Sequence, residues 1–268
     1  MPIANGQRRD LMKGALSASL LAMLPEQLAA HISSTAHISS TEGTETMTSP
    51  ALKQDDIAAS FGHLRDPAGV LNRFAVSEVL MRERLARESQ DFEEADRCFL
   101  PDARVEVSWF KGSGKEFVDS GRKAAAAGPR PAVYFDSMSP AVVKLNGDRA
   151  IANASCAVHS FLPLNGVEAS MTSFTRLLWR VRLVEGEWRI AALRAVYIRD
   201  MLQARNPTQT LEIDEEKLNG FRPSYRNVSY LLEAQGRPLR DDLPGVDRPE
   251  TVAALRAADE QWLQHGVG

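Results

Sequence analysis

A chain of 268 residues, 44% hydrophobic and 25% charged, has room for one sizeable core plus extensions. Its formal net charge of −3, with no basic stripe interleaved with aromatics, excludes recognition driven by phosphate neutralisation, so no nucleic-acid partner is expected. The two cysteines, Cys98 and Cys156, sit in apolar surroundings with no CxxC and no clustered histidines; buried free thiols are expected, with no metal site and no cofactor.

At the start of the chain Arg8 and Arg9 precede Leu11, Met12 and Lys13, and a mild apolar run from Ala15 to Leu24 stops at Pro25. The run is too short for a stable membrane anchor. "RRDLMK" resembles the twin-arginine export signal of bacteria. The resemblance implies a signal segment over residues 1–30 and an exported protein, periplasmic or secreted. Small-residue cleavage sites end at both Ala30 and Ala36; an amphipathic N-terminal helix is the other reading, and Met47 is an alternative start that would remove the signal. Residues 31–60 begin with "HISST" twice over and are rich in Ser and Thr, which predicts a flexible linker.

From Pro67 the pattern turns helical, with Leu71, Phe74, Met81 and Leu85 as the apolar stripe. A short helix follows in "DFEEADRCF", opened by Asp91 and stopped by Pro101. "ARVEVSWF" alternates as a strand, with Val105, Val107 and Trp109 on one face. "GSG" lacks the lysine of a phosphate loop and reads as a turn into a helix that stops at Gly128. Four long strands come next, starting with "AVYFDSMSPAVVKL" and joined at "NGD", "NG" and "EGE", which predicts an antiparallel meander. Residues 205–268 form a helical C-terminal extension: one helix ends at Gly236, and another starts at a capping box of Asp247 and Glu250 with Pro249 in its first turn.

"DFEEADRCFLPDARVEV", "NGDRAIANA" and "RLVEGEWRIAAL", in this order, resemble the SnoaL-like branch of the NTF2-like superfamily, over roughly residues 68–203. The resemblance implies an α+β cone for residues 61–204, in which a curved antiparallel sheet wraps helices around an apolar pocket. It also implies a homodimer and a small apolar ligand. Enzymes of this group include ketosteroid isomerases, polyketide cyclases, dehydratases and epoxide hydrolases; other members only bind small molecules.

Cofactor-independent chemistry in such a pocket needs a buried acid or base beside a hydrogen-bond donor. Glu83 falls where ketosteroid isomerases carry their oxyanion tyrosine and Val107 where they carry their base. The strand of Leu177 and Trp179 has no second acid, which argues against that particular reaction. The expectation is therefore a lyase or isomerase, dehydratase- or cyclase-like, acting on a small apolar carbonyl or hydroxy compound. His159 would be its acid or base, Glu83 the partner across the cavity and Tyr134 a donor to the substrate oxygen. Val107, Trp109, Asn153, Trp179, Tyr197 and Arg82 would line the pocket. The alternative is a non-catalytic binding module. His159 shares strand parity with Asn153, Ser155 and Phe161, which suits either a polar-lined pocket or the sheet's outer face.

Overall fold

In the computed structural model the described residues are 66–128 and 133–266, all within one compact unit, Gln54–Gly268. The readings of an export signal over residues 1–30 and of a linker over residues 31–60 lie outside the described residues. No helix among the described residues is long and apolar enough to cross a membrane.

Helix α1 (Pro67–Ser89) starts where the Asp66 carboxylate accepts from the N–H groups of Ala68 and Gly69, with Pro67 in its first turn. It ends at Gln90 in the left-handed region. Val76, Val79, Leu80, Glu83 and Ala86 are its buried face. The expected stripe faces the other way: Leu71 and Phe74 are each 68% exposed, and Met81 and Leu85 are exposed too. The helix is apolar on two sides. The side with smaller residues packs because the sheet beneath it carries Ala150, Ala152 and Ala154, which let the helix approach closely.

Helix α2 (Phe92–Cys98) is capped by Asp91, whose carboxylate accepts from Glu94 N–H at 3.0 Å. It ends at Cys98 rather than Pro101, which lies inside β1 (Phe99–Val107) where the pairing register shifts. A residue with no N–H fits there. The glycine segment is also more ordered than a turn: β2 (Phe110–Ser113) pairs with β1, and Ser113 forms a capping box with Glu116 at the start of α3 (Gly114–Ala126).

The first expected long strand is two, β3 (Val133–Met138) and β4 (Val142–Asn146), interrupted around Pro140. Both pair with β5 (Arg149–Leu164), followed by β6 (Val167–Val184) and β7 (Glu187–Ala204). The connecting turns need positive φ, which Gly147, Asn165–Gly166 and Glu185–Gly186 supply. Along the seven-stranded sheet the order is β2-β1-β7-β6-β5-β3, with β4 also on β5. The sheet is mixed: β1 runs parallel to β7 and the remaining pairs are antiparallel. The fold is α+β, with helices on both faces of a curved open sheet.

On the inner face, α1 packs with Ala152, Cys156, Leu177, Trp179, Leu193 and Ala195 in one apolar core. The C-terminal extension divides between the two faces. After the short α4 (Glu215–Asn219), α5 (Arg226–Ala234) joins the inner core through Val228, Leu231 and Leu232. Helix α6 (Pro249–His265) lies on the outer face, where Trp262 and Leu263 are buried together with Leu178, Ala192 and Val196 of the sheet. Asp259 of α6 accepts from Arg180 at 2.8 Å and also from Arg194. The expected capping box of α6 does not form, because Asp247 is taken by Arg222 and Ser224 and Arg248 is the N-cap. Between α5 and α6, Tyr197 N–H donates to Pro244 O and Val246 N–H donates to Tyr197 O, so residues 244–246 pair with β7 beyond the end of β1.

Candidate functional site

Directly opposed residues of antiparallel strands share a face, so the register places the inner-face side chains in rows. One row runs Asp136, Val158, Ser173, Asp200 across β3, β5, β6 and β7. Beside it run Met138, Cys156, Thr175, Tyr197 and, on the other side, Tyr134, Ser160, Met171, Leu202. Polar groups therefore gather on one part of an otherwise apolar face, and α1 brings Glu83 and Arg84 to its β3 side.

Glu83 is fully buried and Arg84 nearly so. Arg84 donates from Nε to Glu83 Oε2 at 2.6 Å and from Nη2 to Oε1 at 2.5 Å, a two-pronged grip that occupies both oxygens. Its Nη1 reaches Asp136 Oδ2 at 3.4 Å. Burial opposes the charge on Arg84, but Glu83 and Asp136 outweigh it and hold the guanidinium above its ordinary value. Glu88 accepts from Asp136 N–H at 2.8 Å. Cys156 lies close to this cluster, and burial pushes its thiol up to about 12, with Asp136 adding to the effect.

At the β7 side of the row, burial pushes the Asp200 carboxyl above its ordinary value, against hydrogen bonds from Val228 N–H and Asn227. Those bonds, at 2.8 Å each, tie both Asp200 oxygens to the first turn of α5. The Tyr197 hydroxyl accepts from Ser108 N–H at 2.7 Å, and burial pushes its phenol up to about 12. Between the two carboxylates, the Ser173 hydroxyl is buried and makes no hydrogen bond among the described residues. Leaving a buried hydroxyl unpaired costs about 1–3 kcal/mol.

The expected trio is not brought together. His159 stands on the outer face, in the row Phe135, His159, Thr172, Met201. Its Nδ1 lies 3.0 Å from Thr172 Oγ1 and its ring stacks on Phe135 at 5.8 Å. Asn153 and Ser155, of the same parity, are exposed, whereas Ala152, Ala154 and Cys156 of the opposite parity are buried beneath α1. The sheet therefore separates His159 from Glu83. Tyr134 is on the inner side but 45% exposed on the edge strand. Arg82 points away from the inner face, donating to Glu94 Oε1 at 2.6 Å. Asn153 lies on the outer face, and Val107 is half-buried. Trp179 is core filling, with no accessible surface. Trp109 stacks on Phe117 at 5.3 Å, with Arg87 at 5.5 Å and Arg237 at 5.0 Å from its ring. Tyr197 is the one expected lining residue that stands in the polar rows. The sequence reading missed Arg84, Asp136, Ser173 and Asp200. The only local signal was an acid inside two apolar strand runs, "VYFDSM" and "VYIRDML".

Among the described residues no group of three or more His, Cys, Asp or Glu side chains could hold a metal ion.

A family model described as a SnoaL-like domain matches residues 69–194, so this part of the chain is similar to that family. The chain is 25% identical over 205 residues to a PEP2-like protein of Fusarium vanettenii, covering 73% of this chain and 87% of that protein. It is also 25% identical over 182 residues to pea pathogenicity protein 2 of the same fungus, covering 66% and 77%. Among solved structures, an NTF2-like protein with a cystatin-like fold from Novosphingobium aromaticivorans is similar at 23% identity and a TM-score of 0.36, over 53% of this chain and 88% of that one. A candidate scytalone dehydratase from the same bacterium is similar at 12% identity and a TM-score of 0.41, over 55% and 95%.

Proposed function

We propose that the protein binds a small, largely apolar molecule bearing a carbonyl or hydroxyl group against the inner face of its sheet, and holds it without turnover. The observation that carries this reading is the Ser173 hydroxyl, buried in the middle of the polar row and unpartnered among the described residues. A ligand oxygen there would satisfy it. The neighbouring acids already accept hydrogen bonds from the protein at both oxygens, Glu83 from Arg84 and Asp200 from Asn227 and the first turn of α5. His159, across the sheet, takes no part.

A second reading, turnover by a lyase or isomerase, is supported by Asp136. Only its Oδ2 meets Arg84, at the long distance of 3.4 Å, and its side chain is 10% exposed. It is the inner-face carboxylate best placed to accept a proton.

Native mass spectrometry of the purified chain would identify a retained ligand. Ser173→Val should then weaken that ligand at least tenfold, while His159→Ala leaves its affinity unchanged. Undiminished binding in Ser173→Val would sink the binding reading. Conversion of the ligand by the wild-type protein, abolished in Asp136→Asn, would establish the second.

A further inference from the structure

On the outer face, between the sheet and α6, lies a cavity of about 250 Å³. Its floor is apolar, formed by Ile151, Leu178 and Val196. Its walls carry Lys144, Arg176, Arg256, Asp259 and Glu260, with Asn153 beside them. The register explains the grouping: Asn153 is opposite Leu178, Arg176 is opposite Val196, and Lys144 is opposite Ile151, all on the outer parity.

The charges around this cavity do not balance. Asp259 serves two guanidiniums, those of Arg180 and Arg194, and Glu260 pairs with Lys144. The side chains of Arg176 and Arg256 have neither an ion pair nor a hydrogen bond among the described residues. Five cations thus stand against two carboxylates. Within the buried part, Arg194 Nε has no acceptor among the described residues. Burial pulls the Arg194 guanidinium below its ordinary value; Asp259 opposes this and Arg180 adds repulsion. A surplus of positive charge around a cavity with low-dielectric walls is the arrangement that concentrates an anion.

We propose that this cavity binds a small organic monocarboxylate, its carboxylate held between Arg176 and Arg256 and its apolar body resting on Ile151, Leu178 and Val196. Guanidiniums suit a planar carboxylate, which they grip through paired charge-assisted hydrogen bonds. The apolar floor selects an organic body over a hydrated inorganic ion. Asp259 and Glu260 in the wall disfavour a multiply charged ligand. At ~30 Å³ of liquid volume per water-sized group, the space takes roughly eight or nine non-hydrogen atoms. The site is distinct from the inner-face row, from which the sheet separates it.

The test is calorimetric titration of the full chain with benzoate, an anion of that size, and with benzamide as its uncharged counterpart. Benzoate should bind and benzamide should not. Arg176→Gln and Arg256→Gln, each with an unchanged circular dichroism spectrum, should weaken benzoate at least tenfold, and Ser173→Val should leave it unchanged. The proposal is overturned if benzoate does not bind, if benzamide binds equally well, if both arginine variants retain full affinity, or if Ser173→Val abolishes binding, which would place benzoate on the inner face.

Discussion

Replacing Arg84 by methionine would leave Glu83 with no counter-charge in a site that has no accessible surface. Both Glu83 oxygens now accept from that one guanidinium, at 2.6 and 2.5 Å. Methionine keeps much of the side-chain volume, so the expected loss is mainly the penalty of an uncompensated buried carboxylate, about 3–5 kcal/mol. For a folded unit of this size each kcal/mol moves the melting temperature by about 2–4 °C, so Arg84→Met should melt about 6–20 °C lower. The double variant Glu83→Leu with Arg84→Met removes both charges and should recover to within ~1–2 kcal/mol of the natural chain, because an apolar pair avoids the desolvation that the ion pair incurs. Urea unfolding followed by circular dichroism measures all three proteins, with the midpoint read at constant m-value. An Arg84→Met variant within ~1 kcal/mol of the natural chain, or a double variant as unstable as the single, would refute the argument that mutual neutralisation is what makes Glu83 tolerable in the core.

Asp259→Asn should release α6, since two guanidiniums lose their shared carboxylate; a red shift of Trp262 emission and faster hydrogen exchange in Pro249–His265 would report it, and an unchanged spectrum would count against this anchor. Cys98 and Cys156 are buried and burial pushes each thiol up to about 12, so neither should react with a thiol reagent at pH 8 until the chain is unfolded in urea. Hydrogen bonding from Arg222 holds the Asp247 carboxyl down at about 2, against an ordinary value of 3.8. Its contribution to stability is therefore complete above about pH 4 and is lost as pH falls from there through about 2. Asp247→Asn should flatten the acid limb of a stability-versus-pH curve in that window, and an identical limb would show that this pair contributes nothing there.

The local signals in the sequence were legible. The three hairpin turns, the Asp91 cap and the end of α5 at Gly236 each rest on a few neighbouring residues whose backbone demands are specific. What was misread depends on partners far along the chain. Strand alternation showed that His159, Asn153 and Ser155 share a face, but only the docking of α1 on one side and α6 on the other decides which face is inside. The stripe of Leu71, Phe74, Met81 and Leu85 is a sound helical pattern, yet a helix apolar on two sides does not say which side packs. The row of Asp136, Ser173 and Asp200 comes from three separate strands and exists only through their register. The cavity beneath α6 likewise draws on four strands and a helix.

The pairing of residues 244–246 with β7 has a consequence for the order of events during synthesis. Tyr197 finds its backbone partners about fifty residues further along the chain. At the ribosome's pace of about 5–20 residues per second, that stretch of β7 waits roughly 3–10 s with one flank unsatisfied. An open flank of this kind is a template for another strand, including that of a neighbouring nascent chain. Chains released before residue 244 would keep it open permanently, so translation arrest or nonsense mutation late in the message should yield aggregating protein rather than a merely shortened one.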